Sequence, residues 1–142
     1  MATVQQLLDQ KGHEVLTIGP DHTVFDAIKL MADRNVGSLV VTEDGKLVGL
    51  VTERHYARNV ILRGRSSPET PVRDIMSTRC VCARPEQTVE ESMAVMTDKA
   101  IRHLPVLDNN QLVGIISIGD LVKSVISDQK FTIEQLEHYI TS

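Results

Sequence analysis

Two short stretches and one cysteine pair hold the residues whose types could do chemistry. The first stretch is Ser117-Ile118-Gly119-Asp120, where a hydroxyl and a carboxylate stand three residues apart as an apolar run gives way to helical spacing. This pattern reads as a helix start, with Ser at the N-cap and an acid in the first turn. The second stretch, Thr52-Glu53-Arg54-His55, sets acid and base groups side by side. No nucleophile with an orienting partner accompanies either one, and no Gly-rich loop ends in Gly-Lys-Ser/Thr. Catalysis is therefore not expected. Cys80-x-Cys82 would face one side of a strand, with His103 near it on the next. A structural zinc site, however, takes four ligands from paired motifs, and no second pair exists. Packing is the expected role of both thiols, and no metal is expected. Arg54, Arg58, Arg63 and Arg65 make a basic stretch that reads as a solvated helix face.

The composition bounds what such residues can serve. The chain of 142 residues is 42% apolar and 24% charged, which suits one compact domain or two very small units sharing a core. Aromatic residues are only 3%, with no Trp, so the core must be aliphatic and stacking platforms for single-stranded nucleic acid are missing. A net charge of −4 gives no reason to expect nucleic acid or an acidic membrane surface as partner. Two cysteines one residue apart suit a reducing compartment, the first residues lack the apolar run of a signal peptide, and no stretch reaches membrane-spanning length. The expected location is cytoplasmic.

An internal repeat positions the two stretches. Laid over one another, Thr23-Val24 and Thr88-Val89 start a register that holds without a gap as far as Ile61 over Ile126. Met31 falls on Met96, Leu39 on Leu104, and Leu47-Val48-Gly49 on Leu112-Val113-Gly114. Each copy reads as strand, helix, two strands and helix. The first strands are Val15 to Ile18 and Cys80 to Ala83. The first helices carry Val24, Ala27, Ile28 and Met31 on one face, matched by Val89, Ser92, Met93 and Met96, with capping-box starts at Thr23 and Thr88. Two apolar runs follow, Ser38 to Thr42 and Leu47 to Thr52 around a tight turn at Asp44-Gly45, then His103 to Leu107 and Leu112 to Ser117 around Asn109-Asn110. The closing helices are Arg54 to Leu62 and Ile118 to Ser127. A separate amphipathic helix, Ile133 to Ile140 started by Thr132, is expected to cover the core or form a dimer seam. Lead-in segments Val4-Gln5-Gln6-Leu7-Leu8 and Val72-Arg73-Asp74-Ile75-Met76 precede the copies.

The expected fold is α/β (α+β), two β-α-β-β-α repeats packed face to face with pseudo-twofold symmetry. The expected divisions are repeat 1 over 4–66, a linker over 67–71, repeat 2 over 72–130 and a terminal helix over 131–142.

The unit resembles the cystathionine-β-synthase-type (CBS) domain, and the chain resembles a tandem CBS pair. The residues that carry the likeness are the Val72 to Met76 segment, the Thr-Val helix starts, His103-Leu104-Pro105-Val106, and above all Gly114-Ile115-Ile116-Ser117-Ile118-Gly119-Asp120. The resemblance implies a regulatory, non-catalytic homodimer that binds an adenine nucleotide, AMP first and ADP, ATP or NAD as alternatives, and acts on a regulated protein in trans. By resemblance, Ser117 contacts phosphate, Asp120 holds the ribose hydroxyls, Arg102 and His103 help with phosphate, and main-chain groups at Val36, Gly37, Cys82 and Ala83 meet the adenine. The chemistry suits these roles: a strand-to-helix junction offers amides and a positive dipole end to an anion, and a carboxylate accepts from two hydroxyls at once.

Copy one departs from that pattern. His55 stands where the ribose-holding Asp would fall, and Gly37 and Ser38 replace the basic pair. A weaker second site is expected at Thr52, Arg54, His55 and Arg58. Two other readings remain: an interaction module with empty clefts that docks on an enzyme or transporter, and a metal- or redox-responsive module using Cys80 and Cys82.

Overall fold

The computed structural model of the protein describes residues 2–141. Local chemistry sets its helices. Helix α1 (Val4–Lys11) starts at Thr3, whose hydroxyl accepts from the Gln6 amide while the Gln6 side chain accepts from the Thr3 amide. Helices α2 (Val24–Arg34) and α4 (Val89–Lys99) start at Thr23 and Thr88, each hydroxyl accepting from the amide three residues on at 3.1 Å. Both end on a left-handed residue at matching repeat positions, Asn35 and Ala100, each with φ 54°.

The chain divides into two compact units that do not follow the repeat boundaries. One comprises Glu14–Val81 with Asn110–Leu112. Its sheet has the order β1 (Thr17–Ile18), β2 (Ser38–Glu43), β3 (Lys46–Thr52). β1 lies parallel to β2, with Thr17 opposite Val40; β2 and β3 are antiparallel, with Ser38 opposite Thr52. The turn between them sets Asp44 at φ 52° and Gly45 at φ 76°, the mirror-image geometry that Asp-Gly favours. Ile18, Val24, Ala27, Met31, Leu39, Val41, Val51 and Val60 form the core as the spacing predicts, and Val72 and Ile75 complete it. The second lead-in segment therefore belongs to the first copy's core. Backbone bonds fix it there: Val24 N donates to Thr70 O and Val72 N to His22 O, both at 2.8 Å, while Leu50 and Ser77 exchange bonds at 3.0 and 2.9 Å.

The other unit runs up to His13 and combines that segment with Cys82–Asn109 and the chain from Val113 onward. It contains α1, α4, strand β4 (His103–Asp108), most of its hairpin partner β5 (Gln111–Ser117), and helix α5 (Ile118–Thr141). Val4 and Leu8 are wholly buried in it with Leu104, Val106, Ile116 and Leu121. The first lead-in segment thus serves the second copy's core. Val4 N donates to Gln87 O at 2.8 Å and Val89 N to Ala2 O at 2.9 Å, tying α1 to the start of α4.

Several expectations change. The strand expected over Cys80 to Ala83 reduces to a single parallel bridge, Ala83 to Val106, and Val15 to Ile18 shortens to the two residues of β1. Residues at the rim of so small a sheet find a ladder partner for only one or two amides. The helix expected over Arg54 to Leu62 is one α-turn, α3 (Glu53–Tyr56), continued by a wider π-turn over Ala57–Ile61. The two terminal helices are one: α5 runs unbroken through Asp128-Gln129-Lys130-Phe131-Thr132, which holds no Gly or Pro to stop it. Thr132 does not cap; its hydroxyl donates back to Asp128 O at 3.0 Å. Nor does this stretch cover the core, for Ile133, Leu136 and Ile140 are 55%, 58% and 80% exposed.

Candidate functional site

The β5–α5 junction brings Ser117 and Asp120 together as the spacing predicts. Asp120 Oδ2 accepts from the Ser117 amide at 2.9 Å, and the Asp120 amide donates to Ser117 Oγ at 3.2 Å. This is a reciprocal cap, so the pair satisfies two amides of its own chain at a site where one such bond contributes about 1 kcal/mol. The Ile118 amide is also taken, by Arg102 O at 2.9 Å. Of the first three amides of α5, only that of Gly119 is without an acceptor among the described residues. The open helix end expected from sequence is narrower than supposed.

A residue that sequence reading missed completes the junction. Lys11, the last residue of α1, donates to Asp120 Oδ2 at 2.8 Å and to Ile115 O at 2.7 Å. The two side chains are 30% and 22% exposed. Burial alone would push the Asp120 carboxyl up, but the Lys11 hydrogen bond and charge, with the Ser117 amide, outweigh it and hold the group below the usual carboxylate range. Asp120 is thus an anion whose Oδ2 is fully engaged. No pattern in the sequence announces a pair 109 residues apart.

His13 extends the grip of this segment on β5, its ring lying 3.1 Å from Val113 O and 3.2 Å from Asp9 Oδ1. A groove of about 700 Å³ opens between α1 and α5, but Gln6, Asp9, Gln10, Ser124, Asp128 and Phe131 line it rather than Ser117 or Asp120.

Around the same junction, Arg102 is exposed and His103 half-buried. Ala83 has both main-chain groups in use, its amide on Pro105 O at 2.9 Å and its carbonyl on Leu107 N at 3.0 Å. Cys82 is half-buried, and burial pushes its thiol up, away from the thiolate that metal capture or redox exchange requires. Cys80 Sγ lies 3.7 Å from Ser77 O. Among the described residues no three His, Cys, Asp or Glu side chains gather as a metal site would need.

The β3–α3 junction in the other unit repeats the arrangement with one changed residue. Glu53 N donates to Gly37 O at 3.1 Å, as Ile118 N does to Arg102 O, and Val36 N is taken by Met31 O. Thr52 Oγ1 accepts from the His55 amide, and His55 Nδ1 accepts from the Thr52 amide, both at 3.2 Å. The imidazole does what the carboxylate does, provided Nδ1 carries no proton. Burial first, and then the charges of Arg54 and Arg58, push the His55 pKa below its ordinary value and keep that nitrogen an acceptor. The four residues expected at the weaker site are therefore neighbours, with the basic pair repelling a proton from the ring.

The family model of the CBS domain matches residues 11–61 and again 72–127. The chain is 39% identical to the mitochondrial CBS domain-containing protein CBSX3 of Arabidopsis thaliana, over 97% of this chain and 71% of that protein. It is 38% identical to the CBS domain-containing protein YhcV of Bacillus subtilis, over 82% of each. A solved CBS-domain protein from Burkholderia ambifaria is 48% identical and superposes with a TM-score of 0.87, covering 90% of this chain and 96% of that one. With two matched copies, the same mixed helix-and-sheet fold and relatives aligned over most of their length, this chain belongs to the CBS-domain family and carries the domain in tandem.

Proposed function

We propose that this chain is a regulatory module that binds an adenine nucleotide at the Ser117–Asp120 junction and performs no chemistry on it. The observation that carries the reading is a carboxylate held ionised one turn inside a helix whose Gly119 amide is open to an anion, in a chain of the CBS family. AMP is the ligand favoured, with ADP, ATP and NAD sharing the same ribose and adenine groups. Arg102 and His103 flank the junction as phosphate contacts, and Cys82 and Ala83, in the same unit, are the candidates for adenine. A fold neighbour only 21% identical, the CBS domain pair of protein MJ0100, was solved in complex with 5′-methylthioadenosine and S-adenosyl-L-methionine, so this fold has room for adenosine compounds.

The Thr52–His55 junction is the weaker site. Its imidazole cannot accept from both ribose hydroxyls, which costs on the order of 1–2 kcal/mol, about tenfold in affinity. The module works as a homodimer in the cytoplasm and acts on a partner protein in trans. In support of self-association, a CBS-CP12 protein of cyanobacteria, 31% identical over 84% of this chain, is a hexamer.

Titration calorimetry with AMP tests the reading. One tight equivalent per chain is expected, weakened at least tenfold in Asp120→Asn, a variant that keeps an oxygen to accept from the Ser117 amide. Two equal tight sites would refute the asymmetry, and no heat at all would refute the sensor.

One observation favours a second reading, an interaction module without nucleotide. Ser117 and Asp120 already satisfy each other and Lys11, so a purely structural role accounts for them. Absence of any thermal shift with adenylates would decide for it.

A further inference from the structure

Asp120 cannot grip a ribose diol in the state seen here. Its Oδ2 already receives two donors, the Ser117 amide and the Lys11 ammonium, and a bidentate grip needs both oxygens with lone pairs to spare. The Ser117 amide is fixed by the backbone. Lys11 is the donor that can leave: it sits at the C-terminal end of α1 on a four-carbon stem, it is 30% exposed, and Gly12 at φ 106° follows it.

Its departure has consequences that depend on the ligand's charge. A neutral nucleoside that takes Asp120 strands the ammonium with Ile115 O as its remaining partner. A ligand that carries its own anion offers the ammonium a replacement for the carboxylate within the reach of its stem, beside the Gly119 amide. The lysine therefore opposes the first ligand and assists the second. From this geometry we infer that Lys11 is a specificity-determining residue, which makes the Ser117–Asp120 site select phosphorylated nucleosides over free ones. The inference rests on the nucleotide reading above and adds to it the charge of the ligand.

The pairing is particular to this copy. In the alignment of the two lead-in segments, Val4 on Val72 and Leu8 on Met76, Lys11 falls on Arg79. Arg79 is exposed and makes no ion pair among the described residues, and the acid it would need is His55. A plain structural staple between α1 and the domain would be expected in both copies; this one occurs where the acid is.

The test is calorimetry of the full chain with AMP and with adenosine, for the wild type, Lys11→Gln and Lys11→Arg. In the wild type AMP binds more tightly than adenosine. In Lys11→Gln AMP affinity falls and adenosine affinity rises, so the ratio of the two shrinks by roughly tenfold, the scale of one charged hydrogen bond. Lys11→Arg keeps the preference, and its melting temperature reports whether the helix end still docks. An unchanged ratio in Lys11→Gln, with both ligands bound, overturns the inference and leaves the nucleotide reading standing. Failure of AMP and adenosine alike to bind the wild type overturns both.

Discussion

The sulfur of Met76 lies over Gly49 so closely that a Cβ on that glycine would stand 2.7 Å from it. The second copy repeats the relationship with other residues: a Cβ on Gly114 would stand 2.6 Å from Leu8 Cδ2. Each lead-in segment thus seats one side chain on the bare backbone of the third strand. Glycine is required there for close approach, not for an unusual φ, since neither residue has a positive one.

The two glycines should not tolerate a methyl equally. At Gly114 the obstruction is the end of a leucine side chain, whereas at Gly49 it also includes Ser77 O at 2.9 Å, which belongs to the backbone. Gly49→Ala should destabilise by about 2–3 kcal/mol and Gly114→Ala by about 1–2 kcal/mol, the range for overpacked sites. Urea melts of both variants check the order; equal losses would mean that the segment carrying Ser77 moves freely.

Ser92 should be a removable cost. It is 2% exposed on α4, its Oγ has no hydrogen-bond partner among the described residues, and the matching residue of copy one is Ala27, wholly buried in the same role. Ser92→Ala deletes a desolvated hydroxyl without changing the helix. A gain of roughly 1 kcal/mol is expected, seen as a higher midpoint in urea. A loss would show that the hydroxyl has a use in the folded protein.

Ala100 ends α4 at φ 54°, a conformation in which a Cβ is unfavourable. Copy one uses Asn35 there, at the same φ. Ala100→Gly should therefore stabilise by about 0.5–1 kcal/mol, and Ala100→Asn by somewhat less. Thermal melts of the two variants beside the wild type give the answer.

Two histidines should titrate on opposite sides of the ordinary value of 6.5. The Val113 carbonyl and then Asp9 raise His13, so its contribution to stability is present at acid pH and lost as pH rises through its raised value. Burial and two arginines lower His55, so its contribution is present above 6.5 and lost as pH falls through its lowered value, when a proton on Nδ1 breaks the cap with Thr52. Proton NMR of the two rings should give midpoints that bracket 6.5. A His55 midpoint above 6.5 would place its Nδ1 outside the cap.

Much of this protein was legible from its residues alone, and for a shared reason: the signals are local and periodic. The duplication, the faces carrying Val24, Ala27 and Met31 or Val89 and Met96, the Asp44-Gly45 turn and the Ser117–Asp120 cap each follow from a few neighbours in sequence. Tertiary structure alone decided that Val72 and Ile75 fill the first copy and Val4 and Leu8 the second, because an apolar lead-in fits either sheet equally well by pattern. It also decided that Lys11 meets Asp120 across 109 residues, since an exposed lysine at a helix end carries no mark of its partner. Periodicity records which face of an element is buried; only the folded chain determines against what.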